Sequence, residues 1–217
     1  MTTATDTTNF RFSIFPCGWW DAAAQVAKPQ QRPQQTQTIG WVYQYITSER
    51  ARRATEELRA MAPTATRQQK QDFKALRFEY ATFSGIFSYR NARSLVVRSP
   101  FLAIDIDDLG STDEARDVQH RLCEDTRVET ALCFVSPKGL GVKWIVTLPD
   151  WTQGLPFREQ FERVRRYVGL PFREQFERVR RYVGFNYGLD PDKSGSDVCR
   201  ACYLPWDAEC YINPKYV

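Results

Sequence analysis

Two apolar runs of strand length, Thr130 to Ser136 and Val142 to Leu148, are separated only by a short turn containing Pro137, Gly139 and Gly141. A link that short joins antiparallel neighbours, because a parallel crossover needs a dozen residues or more. A third run, Phe101-Leu102-Ala103-Ile104-Asp105-Ile106-Asp107, begins apolar and ends in acid. A segment of helical character from about Asp113 to Glu124, capped by Ser111 or Thr112, connects it to the hairpin. Strands mixed with helices and joined by hairpin-length links imply an α+β fold with a mixed or antiparallel sheet, not a doubly wound parallel one.

The flanking segments fit this frame. Phe10 to Phe15 alternates as a half-buried strand should. A helix is expected from Thr47 or Ser48 to Met61, ending before Pro63, and a second from Thr66 to about Phe78. Strands are expected over residues 81–88, 94–97 and 198–204. Residues 1–9 are Thr-rich and expected to be disordered. The Gln/Pro stretch of residues 28–38 has nothing to bury and reads as a flexible loop. Residues 10–214 are then one domain, and 42% hydrophobic residues can supply its core.

Gly154 to Val168 recurs without a change as Gly169 to Val183, so residues 154–183 are a duplicated helical segment. Phe157, Phe161, Val164 and Val168 step at helical spacing and form one apolar stripe in each copy. Pro171 predicts a break near residues 169–171, with one copy docked in the core and the other displaced. The arginines of each copy read first as a solvated basic face and second as a phosphate-contacting one.

Charge excludes little: 30 Lys and Arg against 26 Asp and Glu give a net +4. No apolar run approaches the roughly 20 residues of a membrane helix, so no membrane partner is expected. Six irregularly spaced cysteines without a signal peptide read as free thiols of a reduced, cytoplasmic protein. Cys199 and Cys202 lack the second pair that a structural zinc site needs and are expected to be half-buried strand thiols.

Three stretches carry chemistry. Alternation along a strand points Asp105 and Asp107 to one face, where paired carboxylates suit a hard divalent cation, Mg2+ or Mn2+. Asp-x-Asp pairs also occur in glycosyltransferases and in haloacid-dehalogenase-type phosphatases, although Leu109 stands where the latter carry Thr or Val. The turn Ser136-Pro137-Lys138-Gly139-Leu140-Gly141-Val142-Lys143 combines small residues with two lysines, which suits a triphosphate as well as an ordinary turn. Last, Asp190-Pro191-Asp192-Lys193-Ser194-Gly195-Ser196-Asp197-Val198-Cys199-Arg200 offers a third acid and a phosphate-binding arginine. Asp192 is the preferred third ligand, with Asp190 as the alternate.

In this order the three stretches resemble the motifs of the archaeo-eukaryotic primase superfamily, and most closely the VirE-type N-terminal domains of bacterial mobile elements. The segments Phe83 to Ser88 and Arg90 to Leu95 add to the likeness. The resemblance implies a two-lobed primase-polymerase-like core with an RNA-recognition-like palm sheet. It implies Asp105, Asp107 and Asp192 as catalytic metal ligands, with Ser136, Lys138, Gly139, Gly141, Lys143 and Arg200 binding the nucleotide. Template-directed nucleotidyl transfer on single-stranded DNA would follow, with nucleoside triphosphates as substrates and a helicase fused or associated. The alternative is an inactive nucleic-acid-binding module, favoured by Lys143 standing where primases commonly carry histidine.

Overall fold

A computed structural model of the protein describes residues 10–148 and 170–217. The N-terminal nine residues, the first repeat copy and Gly169 of the expected break lie outside them. The elements run β1 (Phe12–Phe15), β2 (Trp19–Asp21), β3 (Val26–Lys28), β4 (Gln35–Gln37), α1 (Ile39–Thr47), α2 (Arg52–Met61) and α3 (Arg67–Arg77). There follow β5 (Tyr80–Thr82), β6 (Gly85–Phe87), β7 (Leu95–Arg98), β8 (Phe101–Ile106), α4 (Thr112–Cys123), β9 (Thr130–Val135) and β10 (Val142–Thr147). The chain closes with α5 (Leu170–Tyr187), β11 (Cys202–Tyr203) and β12 (Tyr211–Ile212).

The fold is α+β, and its sheets are antiparallel throughout the described residues. One four-stranded sheet has the order β11-β5-β1-β4 and the other β12-β9-β10-β8, with two small hairpins, β2-β3 and β6-β7. The second sheet is covered on both faces. Phe101, Ala103, Leu132, Phe134 and Ile145 point to one face and pack with β1 and with Ile39, Val42 and Ile46 of α1. Leu102, Ile104, Cys133 and Trp144 point to the other and pack against α4 and α5. Strands covered on both sides read as near-continuous apolar runs, which is why β8, β9 and β10 stand out in the sequence. No helix among the described residues is long and apolar enough to cross a membrane.

Local signals explain most boundaries. Thr66 caps α3 through a full capping box with Gln69, and Ser111 accepts the Glu114 amide at the start of α4. The second repeat copy forms α5 with Pro171 in its first turn, where a missing N–H costs nothing. Its stripe packs as the spacing predicts: Phe172, Phe176 and Val183 are buried. Its arginines pair locally, Arg178 with Glu174 and Arg180 with Glu177 and Asp190, as a solvated face would.

Several expectations are corrected. The Gln/Pro stretch is not a featureless loop, because Gln35–Gln37 pairs with β1 and Gln34 donates its amide to Ile14. The β1 edge needs those partners, and this need outweighs the polar composition. The helix expected from Thr47 or Ser48 to Met61 is found as a short 3-10 turn, Glu49–Ala51, capped by Ser48 and leading into α2, whereas α1, which precedes it, was not expected. Aromatic and β-branched residues gave α1 a strand-like composition that masks its helical spacing. β1 is buried at all four positions rather than half-buried, with the Ser13 hydroxyl accepting from the Phe87 amide. The last long strand shrinks to Cys202–Tyr203, because residues 193–200 are held by turns around Asp192 and Asp197.

Candidate metal and phosphate site

The end of β8 positions the site. Asp105 is the last but one residue of the strand and lies opposite Lys143 of β10, so both side chains share the face that looks toward the first sheet. Asp107 follows beyond the strand end. Asp108 then turns the chain in the left-handed region at φ 60°, which Asp tolerates better than most residues. The third acid is carried in from far along the chain. The Asp192 amide donates to the Asp105 carbonyl at 2.8 Å, and the Lys193–Ser196 turn is pressed between β8 and α5. A Cβ on Gly195 would come within 2.5 Å of the Phe176 ring and 3.3 Å of the Ala103 carbonyl oxygen. The repeat helix thus seats the loop that delivers Asp192.

Asp105, Asp107 and Asp192 each offer an oxygen, and these atoms all lie within 4.8 Å of one another. Asp190, the alternate ligand, is exposed and held at 2.5 Å by Arg180, apart from the cluster. Of the two acids, Asp192 is the one that lies with Asp105 and Asp107.

Two cations already serve the cluster. Lys143 Nζ stands 2.7 Å from Asp105 Oδ2, and Arg200 Nη2 bridges that oxygen at 2.9 Å and Asp192 Oδ2 at 3.0 Å. Asp105 is 1% exposed, yet its Oδ1 is buried with no hydrogen-bond partner among the described residues. Asp107 has no ion pair among them either. Burial pushes the Asp105 carboxyl up, but Lys143 and Arg200 outweigh it and hold the group below the usual carboxylate value. Burial likewise pushes the Lys143 ammonium down, and Asp105 reverses that. Asp192 is lowered against its burial by the Ser194 hydroxyl and amide, then by Arg200. All three directions describe one ionised network. Three carboxylates face two cations, leaving a net negative charge and carboxylate oxygens without an ion-pair partner among the described residues, a donor set that can hold a metal ion.

The β9–β10 turn is built for close approach to this strand end. A Cβ on Gly141 would lie 2.5 Å from the Ile106 carbonyl oxygen and 3.2 Å from Asp107 Oδ1. Gly139 adopts φ 83° beside Thr112 and Arg59. Both glycines thus meet backbone demands that need no ligand. Ser136 is buried, and its hydroxyl has no partner among the described residues. Lys138 lies 4.0 Å from the exposed Asp108 and makes no ion pair with the three clustered acids.

Sequence reasoning missed two cations. Lys74 of α3 is half-buried and lies 5.8 Å from the centre of the Tyr203 ring. Burial, then Lys143 and Lys138, push its amine down to about 8, while Asp107 opposes the shift. Arg59 of α2 lies against Gly139, with Nε and Nη2 buried and unpartnered among the described residues. Nothing in the polar helices α2 and α3 marks either residue in advance. All six cysteines are free, as expected, but Cys199 and Cys202 are buried rather than half-buried, and Cys199 lies in the turn before β11 rather than in a strand.

Comparisons with known proteins give one result. A family model described as "BT4734-like, N-terminal domain" matches residues 72–212, well over half of the chain. No curated protein and no solved structure matches. The match overturns the resemblance to archaeo-eukaryotic primases and VirE-type domains, since neither family is found. The physical reason is that the quoted motifs are generic. An acid pair at a strand end, a glycine turn packed on it and a late Asp with Arg are what any carboxylate cluster of this geometry requires, and Lys143 already departed from the primase pattern. The matched region carries β8, the β9–β10 turn and the Asp192 loop, so the chain belongs to the family of BT4734-like N-terminal domains.

Proposed function

We propose that this site performs divalent-metal-dependent nucleotidyl transfer, with a nucleoside triphosphate as substrate and single-stranded DNA as template. The observation that carries the reading is the convergence of Asp105, Asp107 and Asp192, with Asp105 Oδ1 buried and unpartnered among the described residues and Lys143 and Arg200 beside them. A carboxylate cluster alone repels phosphate; one that shares its rim with a lysine and an arginine accepts a metal and a polyphosphate together. The three acids would hold Mg2+ or Mn2+, which supplies Lewis-acid activation of phosphoryl oxygens and of an attacking hydroxyl. Lys143 serves as a point charge and Arg200 as a planar fork for the triphosphate oxygens. The Ser136 hydroxyl and the Lys138 ammonium extend that surface along the turn. In this reading the two four-stranded sheets are the two lobes, and the β12-β9-β10-β8 sheet is the palm that carries the acids.

A second reading is a nucleic-acid-binding module without turnover. The pairing of Asp105 Oδ2 with both cations favours it, because those groups are satisfied without metal. Extension of a primed single-stranded template with labelled nucleotides and Mn2+ separates the two. Metal-dependent product that disappears in an Asp105→Asn/Asp107→Asn double variant supports the enzyme. Metal-independent DNA binding by both proteins, with no product from either, selects the binding module.

A further inference from the structure

We propose that the β2–β3 hairpin, with α3 behind it, is a docking surface for single-stranded nucleic acid, on which Trp19 and Trp20 stack with bases. The inference rests on the reading above only for its single-stranded partner and needs neither the metal nor the triphosphate. Adjacent residues of a strand point to opposite faces, so a ribbon laid flat on a core buries one of two neighbours and exposes the other. Trp19 and Trp20 depart from that pattern, at 44% and 47% exposed. The hairpin therefore stands on edge, with an indole on each side. Its support is firm. Asp72 of α3 accepts the Ala27 amide at 2.8 Å, and the Gly18 amide donates to the Ala75 carbonyl at 2.7 Å. Gly18 lets the base of the hairpin close, because a Cβ there would collide with the Lys28 carbonyl oxygen. Two large rings held half in water on a fixed support are an apolar surface that a partner would cover.

Charge says what kind of partner. The α3 helix carries Arg67, Lys70, Lys74 and Arg77 against a single acid, Asp72, which is already engaged by the Ala27 amide and the Gln68 side chain. In the hairpin Lys28 lies directly across from Trp19. The one hairpin acid, Asp21, is paired with Lys28 and accepts the Ala23 and Ala24 amides. No carboxylate of either element is left unengaged to repel a phosphate. Cations beside exposed aromatic faces are the two halves of a sequence-tolerant single-strand site, where the first meet backbone phosphates and the second stack on bases. In a duplex the base faces are covered by their neighbours, so a single strand is the better fit. An apolar peptide or a second copy of this chain would match the indoles and gain nothing from the cations.

The test measures fluorescence anisotropy of labelled oligo(dT) and oligo(rU), with EDTA present to remove divalent ions. It compares the unaltered protein with the double variants Trp19→Leu/Trp20→Leu and Trp19→Phe/Trp20→Phe. The leucine pair should weaken binding at least about tenfold, as the loss of base stacking predicts. The phenylalanine pair keeps a flat ring and should keep most of the affinity. Indole emission of the unaltered protein should be quenched as the oligonucleotide binds, and added salt should weaken binding. The stronger of the two oligonucleotides names the natural strand. Unchanged affinity in the leucine pair overturns the surface and leaves the single-stranded DNA reading standing. An equal loss in both pairs overturns it as well, by showing that the indoles serve the fold rather than stacking. So does tighter binding of a duplex, or a dimer in sedimentation that the leucine pair dissolves while oligonucleotide binding is unaffected. If the unaltered protein binds neither oligonucleotide, this surface and the single-stranded partner both fall, while the metal and triphosphate chemistry stays open to its own assay.

Discussion

Replacing Lys143 with methionine removes one charge from the centre of the site while filling the same volume. Lys143 is 8% exposed and its ammonium is 2.7 Å from a carboxylate that is 1% exposed. Removing one partner of a buried pair costs about 3–5 kcal/mol, because the other charge is left uncompensated. Arg200 remains 2.9 Å from the same oxygen and compensates part of the charge, so the cost falls below that range, to about 2–3 kcal/mol. The same change raises metal affinity. A unit charge about 4–5 Å from a bound ion contributes roughly 3–4 kcal/mol per ionic charge at an effective dielectric constant near 20. Even after generous discounting for relaxation, Mn2+ should bind Lys143→Met at least ~10-fold more tightly than the unaltered protein. At 100 times its dissociation constant the ion returns about 2.7 kcal/mol, so metal restores most of the lost stability. Urea denaturation with and without Mn2+, paired with calorimetric titration of the ion, measures both effects. With Lys143 gone, burial raises the Asp105 carboxyl, protons compete with metal, and the rescue strengthens as pH rises. In the unaltered protein Asp105 is lowered; its contribution is fully present above its unfolded value near pH 4 and is lost as pH falls through the folded one. A Lys143→Met protein that is as stable as the original, or gains no more from Mn2+, would refute the charge argument.

Three further outcomes follow from packing. Gly141→Ala places a Cβ 2.5 Å from the Ile106 carbonyl oxygen; it should cost about 1–3 kcal/mol and weaken Mn2+ binding by displacing Asp107, both read by thermal melting with and without the ion. Asp207 is buried, takes a bidentate grip from Arg116 and accepts the Val135 amide at 2.7 Å. Asp207→Ala should therefore cost about 3–5 kcal/mol in chemical denaturation, with affinity for metal in the surviving folded fraction unchanged. Phe176→Ala opens a cavity beside Gly195 and should cost about 3–5 kcal/mol; loss of Mn2+ binding alongside would show that α5 positions Asp192, and retention would show that it does not.

The readable part of the fold was the part with a single dominant cause. β8, β9 and β10 are buried on both faces, so they appear as unbroken apolar runs whatever surrounds them. Thr66 and Ser111 announce α3 and α4 because caps are local chemistry. Asp105 and Asp107 were legible from strand periodicity, and Asp192 from its turn. What was not legible depends on distant partners. Gln35–Gln37 becomes a strand only because β1 lies beside it, and α1 is helical only because Ile39, Val42 and Ile46 find the face of the second sheet. Arg59 is an unremarkable residue of a polar helix until the chain folds it against Gly139 of the β9–β10 turn, and Lys74 until it meets the Tyr203 ring. The family assignment failed for a related reason: short motifs report what a site needs, and many unrelated sites need the same things.

The charge count also bears on the order of events. Three acids and two cations leave the cluster one negative charge, which is weak attraction for a divalent ion on its own. In the proposed reading one ion would turn the balance positive, and a triphosphate would turn it negative again. Each ligand therefore improves the site for the other, and by linkage the gain is reciprocal. In the proposed reading Lys143 and Arg200 would exchange a carboxylate for a phosphate; their pairing with Asp105 holds it ionised and in place. Their pairing in this structure is thus compatible with turnover: an unpaired carboxylate buried this deeply would take up a proton, and a protonated acid is a poor metal ligand.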